Sequence, residues 1–96
     1  MSNNLTGEAV FTFSGTDRVI LAERLLMAAG MDVRVMPVPA AIRLGCGLCL
    51  RLPMSQSPNA ERLLREGGIV PREIYERTVE NGKSALSIMR KENDGR

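Results

Sequence analysis

The order of strand-like and helix-like segments constrains the fold of this chain more than any other feature. Residues 9–13 are strand formers, and residues 18–29 run without glycine or proline until Gly30, as expected for a helix. Residues 31–36 then alternate apolar and polar side chains, which is typical of a strand with one buried face. The first half of the chain therefore predicts a strand, a helix and a second strand.

The second half repeats these elements after a glycine-containing turn. Residues 48–52 alternate again, so that one face carries three leucines and the other carries Cys49 and Arg51. A helix is predicted over residues 58–66, and a last strand within residues 69–78. The order β-α-β-β-α-β is the pattern of an α+β ferredoxin-like sandwich, in which two helices cover one face of a four-stranded antiparallel sheet.

The length of the chain leaves room for one small domain, because it has 96 residues, of which 44% are apolar. We place that domain at residues 8–78 and expect residues 79–96 to form a polar tail or a short appended helix. The apolar side chains of the first predicted helix spread beyond a single stripe. This helix is therefore either well buried or offers a face to another subunit of a homo-oligomer.

The composition disfavours several classes of function. The chain has no histidine, which excludes Ser-His-Asp triads, Cys-His dyads and histidine-rich zinc sites. A net charge of +2, one tyrosine, two phenylalanines and no tryptophan give no surface for binding nucleic acid. The apolar runs are short, the first residues are polar and there are two cysteines, so we expect no membrane association and a reduced, cytoplasmic protein.

Cys46 and Cys49 form the one reactive constellation, and Gly45 and Gly47 flank Cys46. The C-x-x-C spacing occurs in redox dithiols and in thiolate metal clamps. If both cysteines lay in one extended strand, roughly 10 Å would separate their Cα atoms and they could not form a disulfide. If the glycines instead hold a turn, Cys46 projects from a loop as a nucleophile while Cys49 belongs to the strand as a small hydrophobe.

Three arginines are candidates for supporting this thiol. Arg43 precedes Cys46, whereas Arg34 and Arg51 lie on neighbouring segments. They form either a solvated edge of the sheet or, together with the N–H groups of the glycines, a cradle for an anion such as hydrosulfide, hydroselenide or a persulfide.

Short motifs across residues 10–76 carry a family resemblance. They are Pro37-Val38-Pro39 and Cys46-Gly47-Leu48, together with Ala22-Glu23-Arg24-Leu25-Leu26, Ala29-Gly30, Val33-Arg34, Ile42, Leu50-Arg51, Gly68-Ile69 and Ile74-Tyr75. On these residues the chain resembles the selenium/sulfur carrier protein-like family of small bacterial and archaeal domains. The resemblance implies that Cys46 is the carrier thiol. It leaves the role of Cys49 open, since the family pattern has alanine at that position.

The resemblance implies a carrier more than a true enzyme. Cys46 would accept sulfur or selenium from a donor protein as a persulfide or selenosulfide and pass it to an acceptor protein, with no cofactor besides this covalently bound atom. The residues themselves leave two alternatives open. One is a copper or zinc chaperone that uses Cys46 and Cys49, and the other is a non-catalytic interaction or regulatory domain.

Overall fold

The computed structural model describes residues 7–39, 42 and 47–91. Its strands are β1 (Glu8–Thr12), β2 (Arg34–Pro37), β3 (Leu48–Pro53), β4 (Glu73–Glu80) and β5 (Lys83–Lys91). The helices are α1 (Thr16–Ala28) and α2 (Ser57–Glu66), and one turn of 3₁₀ helix at Met54–Gln56 precedes α2. The first four strands and both helices lie where the sequence predicts them, within a few residues at each end.

The strands form one antiparallel sheet in the order β2-β3-β1-β4-β5. The predicted α+β fold, with two helices and an antiparallel sheet, is therefore confirmed. The predicted number of four strands is wrong, because residues 83–91 form a fifth strand where we expected a polar tail or a short helix. The domain boundary predicted after residue 78 falls inside β4, and the independent folding of residues 8–78 stays a prediction.

A two-residue turn accounts for this additional strand. Asn81 and Gly82 have φ values of 53° and 79° and connect the paired residues Glu80 and Lys83. Two consecutive positive φ values give a turn whose twist matches that of a hairpin, and Asn-Gly is the favoured sequence for it. The polar composition of the last residues favours a tail, and the Asn-Gly turn outweighs it.

Both helices pack on the same face of the sheet, over an aliphatic core that contains both phenylalanines. Every third or fourth residue of α1 is buried there, at Val19, Ala22 and Leu26. The buried core residues are Ala9, Phe11, Phe13, Val19, Ala22, Leu26, Val33, Leu50, Leu52, Ala60, Leu64, Ile69 and Ile74. Away from this buried stripe, Leu21 and Met27 of α1 are more than half exposed, at 51% and 57%, so the apolar spread of this helix reflects exposed apolar side chains rather than complete burial.

A second, smaller cluster lies on the other face of the sheet, which no helix of the described residues covers. Val10, Ile42 and Cys49 are its buried members. Met36, Val38, Tyr75 and Leu86 pack against them and are partly exposed. We call this side the helix-free face, and the alternation predicted for residues 48–52 places Cys49 and Arg51 on it.

Candidate functional site

The β2–β3 loop, residues 38–47, contains most of the predicted site. Arg43, Gly45 and Cys46 lie outside the described residues, so their predicted roles stay predictions. Gly47 is described, with a φ of 79°, and its carbonyl oxygen accepts a hydrogen bond of 2.9 Å from the N–H of Val38. This bond closes the base of the loop next to the pair formed by Pro37 and Leu48.

Ile42 attaches the same loop to the sheet at a second point. Its side chain is 6% exposed and packs with Val10 and Cys49 on the helix-free face. Its N–H donates a hydrogen bond of 2.9 Å to the carbonyl oxygen of Pro39. Ile42 lies between the Pro-x-Pro motif and Cys46 in the sequence. Burial of its apolar side chain therefore attaches this part of the loop to the sheet.

Cys49 is a residue of the sheet interior. It lies on β3 between Thr12 of β1 and Met36 of β2, and its side chain is 0% exposed. The thiol donates a long hydrogen bond of 3.8 Å to the carbonyl oxygen of Pro37. Buried among apolar neighbours, Cys49 has the surroundings of a structural cysteine rather than of an exposed nucleophile. A role as a second thiol stays a prediction.

Arg34 and Arg51 are neighbours, because they face each other in the pairing of β2 with β3. Glu8 forms an ion pair with Arg51, 3.4 Å from its Nε, and a second one with Arg77, 2.8 Å from its Nη1. Glu8 lies beyond Arg51 as seen from the β2–β3 loop, since its partner on β3 is Pro53. The structure thus brings two of the three predicted arginines together, and their binding of an anion stays a prediction.

A carboxylate and a phenol that were not among the predicted site residues lie at the loop end of the helix-free face. Glu73 is 8% exposed, and the hydroxyl of Tyr75 donates a hydrogen bond of 2.7 Å to its Oε1. Burial raises the pKa of Tyr75 to about 12, assisted by this hydrogen bond and by the negative charge of Glu73. Tyr75 therefore remains a protonated donor at neutral pH.

This pair is linked to Cys49 through β1. Thr12 lies opposite both Cys49 and Glu73, and its hydroxyl donates a hydrogen bond of 3.3 Å to the carbonyl oxygen of Glu73. Two strand spacings, roughly 10 Å, separate the backbones of Cys49 and Glu73. The signal that could have found the pair is the two-residue step from Glu73 to Tyr75, which places both on one face of a predicted strand.

The described residues offer few ligands for a metal ion. Among them, no three His, Cys, Asp or Glu side chains lie close enough together to hold one. Of the helices in this part of the chain, neither is long and apolar enough to cross a membrane.

Comparisons with known proteins show which family the chain is similar to. A family model described as "Putative Se/S carrier protein-like" matches residues 8–76, which confirms the predicted resemblance. "Uncharacterized protein YtiA" of Escherichia coli (strain K12) is 47% identical over 45 residues, which are 47% of this chain and 53% of YtiA. The chain therefore spans about half the length of the curated relative that it matches. No solved structure matches the chain.

Proposed function

Because this chain belongs to the Se/S carrier-like family, we propose that it carries sulfur or selenium on the thiol of Cys46 and delivers it to an acceptor protein. The observation that carries this proposal is the family match over residues 8–76. The matched region includes β2, β3 and the loop between them that contains Cys46. A loop cysteine fits the task because a carrier thiol must meet the thiols of two other proteins.

The loading of Cys46 with a sulfur atom is a transfer reaction that needs no external oxidant or reductant. The Cys46 thiolate attacks the outer sulfur of a persulfide on the donor protein, the donor's S–S bond breaks, and the donor cysteine leaves as a thiolate. Cys46 then holds a persulfide. An acceptor thiolate attacks its outer sulfur in the same way, and the Cys46 thiolate is released. Selenium follows the same steps when the donor carries a perselenide.

The described part of the loop supports this role through its openness and its anchoring. Gly47 follows Cys46, and no heavy atom lies within 4 Å of the position that a Cβ would take there. The hydrogen bond from Val38 to Gly47 and the burial of Ile42 hold the flanking backbone on the sheet. These attachments keep the described ends of the loop folded on the sheet, which suits a carrier that must meet partner proteins through this loop.

The burial of Cys49 favours a carrier with one working thiol. A resolving thiol or a second metal ligand would have to leave the cover of Ile42 and the hydrogen bond to Pro37. That rearrangement would expose the aliphatic side chain of Ile42 to water, which is unfavourable. We therefore assign no transfer step to Cys49, and a copper or zinc chaperone is kept as an outcome of the test below.

The partners of a carrier are its donor and its acceptor. We place the exchange in the cytoplasm, where thiols stay reduced and persulfides can be passed on before oxidation. Either partner must bring a persulfide or a thiolate to Cys46, and neither nucleic acid nor a membrane takes part in the transfer.

Intact mass spectrometry after incubation with glutathione persulfide tests the proposal. The wild type and the Cys49→Ser variant are expected to gain the mass of one sulfur atom, removable by reductant, and the Cys46→Ser variant to gain none. Equal gain in all three proteins would contradict the assignment of Cys46. A copper or zinc adduct in native spectra that disappears when either cysteine is replaced, without any sulfur adduct, would favour the metal chaperone.

A further inference from the structure

The two edges of the sheet differ in what they offer to another chain. β2, at one edge, has four residues and ends on Pro37, and short strands and proline are features that blunt an edge. β5, at the other edge, has nine residues and contains neither glycine nor proline. Within the described ranges no further strand pairs with β5. The register of β5 against β4 shifts between the pairs Tyr75–Ile88 and Ile74–Arg90, and such a bulge interrupts an edge. Residues 83–88 are therefore the regular part of the edge that can accept another strand.

The hairpin turn fixes which backbone groups of β5 face outwards. Glu80 and Lys83 flank the two-residue turn, so they form a hydrogen-bonded pair, and such pairs alternate with non-hydrogen-bonded ones along an antiparallel ladder. Ser84, Leu86 and Ile88 fall in the non-hydrogen-bonded positions. Their N–H and C=O groups point away from β4, towards the open edge.

Charge decides what kind of strand fits there. Lys83 lies at one end of β5 and Arg90 and Lys91 at the other, and the strand itself has no acidic residue. Glu80 and Glu73 of β4 are the pairing partners of Lys83 and Lys91. Arg90 contacts Glu61 at 2.8 Å, yet 56% of its side chain is exposed. A second copy of β5 would place cations beside cations, which destabilises strand pairs. An extended segment with carboxylates at both ends would instead complement this edge.

The middle of the strand has no charge and exposes apolar surface. Residues 84–89 carry no charged side chain, and Ile88 is 52% exposed. Edge recognition of this kind takes its affinity from main-chain hydrogen bonds and its selectivity from side chains beside them. A partner segment with alternating apolar residues would cover Ile88.

We propose that β5 binds an extended segment of a partner protein, apolar in its middle and acidic at both ends. The identification of that partner as the donor or the acceptor rests on the proposed function. Glu73 pairs with Lys91 and lies in the same cross-strand row as Cys49. The cationic end of β5 is thus at the end of the sheet where the β2–β3 loop begins, about 15 Å from β3.

The test measures binding of a fluorescent nine-residue peptide of alternating valine and threonine with glutamate at both ends, the length being that of β5. A peptide with lysine at both ends serves as control. We expect the wild type to bind the acidic peptide and not the basic one. Ser84→Pro removes one outward N–H and leaves the bonds to β4, so it should weaken binding about fivefold. The matched Ser84→Thr variant keeps that N–H and should bind like the wild type.

Lys83→Glu reverses the charge at one end of β5. We expect it to weaken binding of the acidic peptide at least as much as Ser84→Pro does. Equal affinity for both peptides, or equal binding by Ser84→Pro and Ser84→Thr, would overturn the proposal. A dimer of the wild type that Ser84→Pro dissociates in sedimentation experiments would overturn it in favour of a second copy. Loading of Cys46 by glutathione persulfide should be equal in all these variants, so failure of the carrier function and failure of this docking edge are read out separately.

Discussion

The hydroxyl of Tyr75 and the carboxylate of Glu73 form a 2.7 Å hydrogen bond on the helix-free face, two residues apart on β4. Glu73 is 8% exposed, so its carboxylate loses hydrogen bonds to water on folding. The hydroxyl of Tyr75 replaces one of them. The bond lies at the end of the sheet from which the β2–β3 loop departs, where Thr12 of β1 is the pairing partner of Glu73.

The ionisation of Tyr75 is expected to follow from this bond. The pKa of Tyr75 is raised from 10.0 to about 12, so the folded state favours the protonated phenol. The resulting stability is fully present below pH 10 and is lost as the pH rises towards 12. Tyr75 is the one tyrosine of the chain, so tyrosinate absorbance reports it alone. We expect a midpoint near 12 in the folded protein and near 10 in urea.

Two variants control this titration. Glu73→Gln removes the negative charge and should lower the pKa of Tyr75, whereas Tyr75→Phe should abolish the signal and the associated loss of stability at alkaline pH. A midpoint near 10 in the folded wild type, verified as folded by circular dichroism, would contradict the environment described here.

Ile42→Ala should loosen the attachment of the β2–β3 loop to the sheet. Because the side chain is 6% exposed, its truncation should lower the free energy of unfolding by about 2 kcal/mol. In a Cys46→Ser background, a thiol reagent should also label Cys49 faster. Val70→Ala, at a position 40% exposed, is the matched control and should change neither quantity by much. Unchanged labelling of Cys49 after Ile42→Ala would show that another residue covers the thiol.

Glu8→Gln should reveal the electrostatic coupling between Arg51 and Arg77. The carboxylate contacts both arginines, and all three side chains are about one-third exposed. We therefore expect the free energy of unfolding, measured in urea, to fall by up to about 1 kcal/mol. Raising the salt concentration should shrink the difference. Glu66→Gln breaks the more exposed pair with Arg62 and should cost less. An effect of Glu8→Gln that is identical at low and high salt would argue for packing instead.

The sequence was most informative where one periodicity had a single interpretation. The alternation of residues 48–52 correctly placed Cys49 and Arg51 on one face of β3, because a strand turns successive side chains to opposite faces. The same reasoning failed after residue 80, where few apolar residues suggested a tail. The turn at Asn81 and Gly82 decided that region, since it directs the chain back along β4 regardless of its polarity.

In the candidate site too, some features follow from the local sequence and others arise only when distant segments pack together. The family resemblance identified the loop and its cysteine, and the pairing of Arg34 with Arg51 follows from two adjacent strands. The contact of Ile42 with Val10 and Cys49 joins residues that are far apart in the chain, and no local pattern encodes it. The ion pairs of Glu8 and the burial of Glu73 depend in the same way on which strands become neighbours.

By itself, the sequence determined the order of the first elements, the faces of β3, the absence of histidine chemistry and the family of the chain, because these depend on local spacing and residue type. Only the tertiary structure decided that β5 completes the sheet, that Ile42 packs in one cluster with Cys49, and that Tyr75 and Glu73 share a hydrogen bond at the end of the sheet beside the loop. The physical reason is that burial and charge pairing arise between segments, and strand order sets which segments meet.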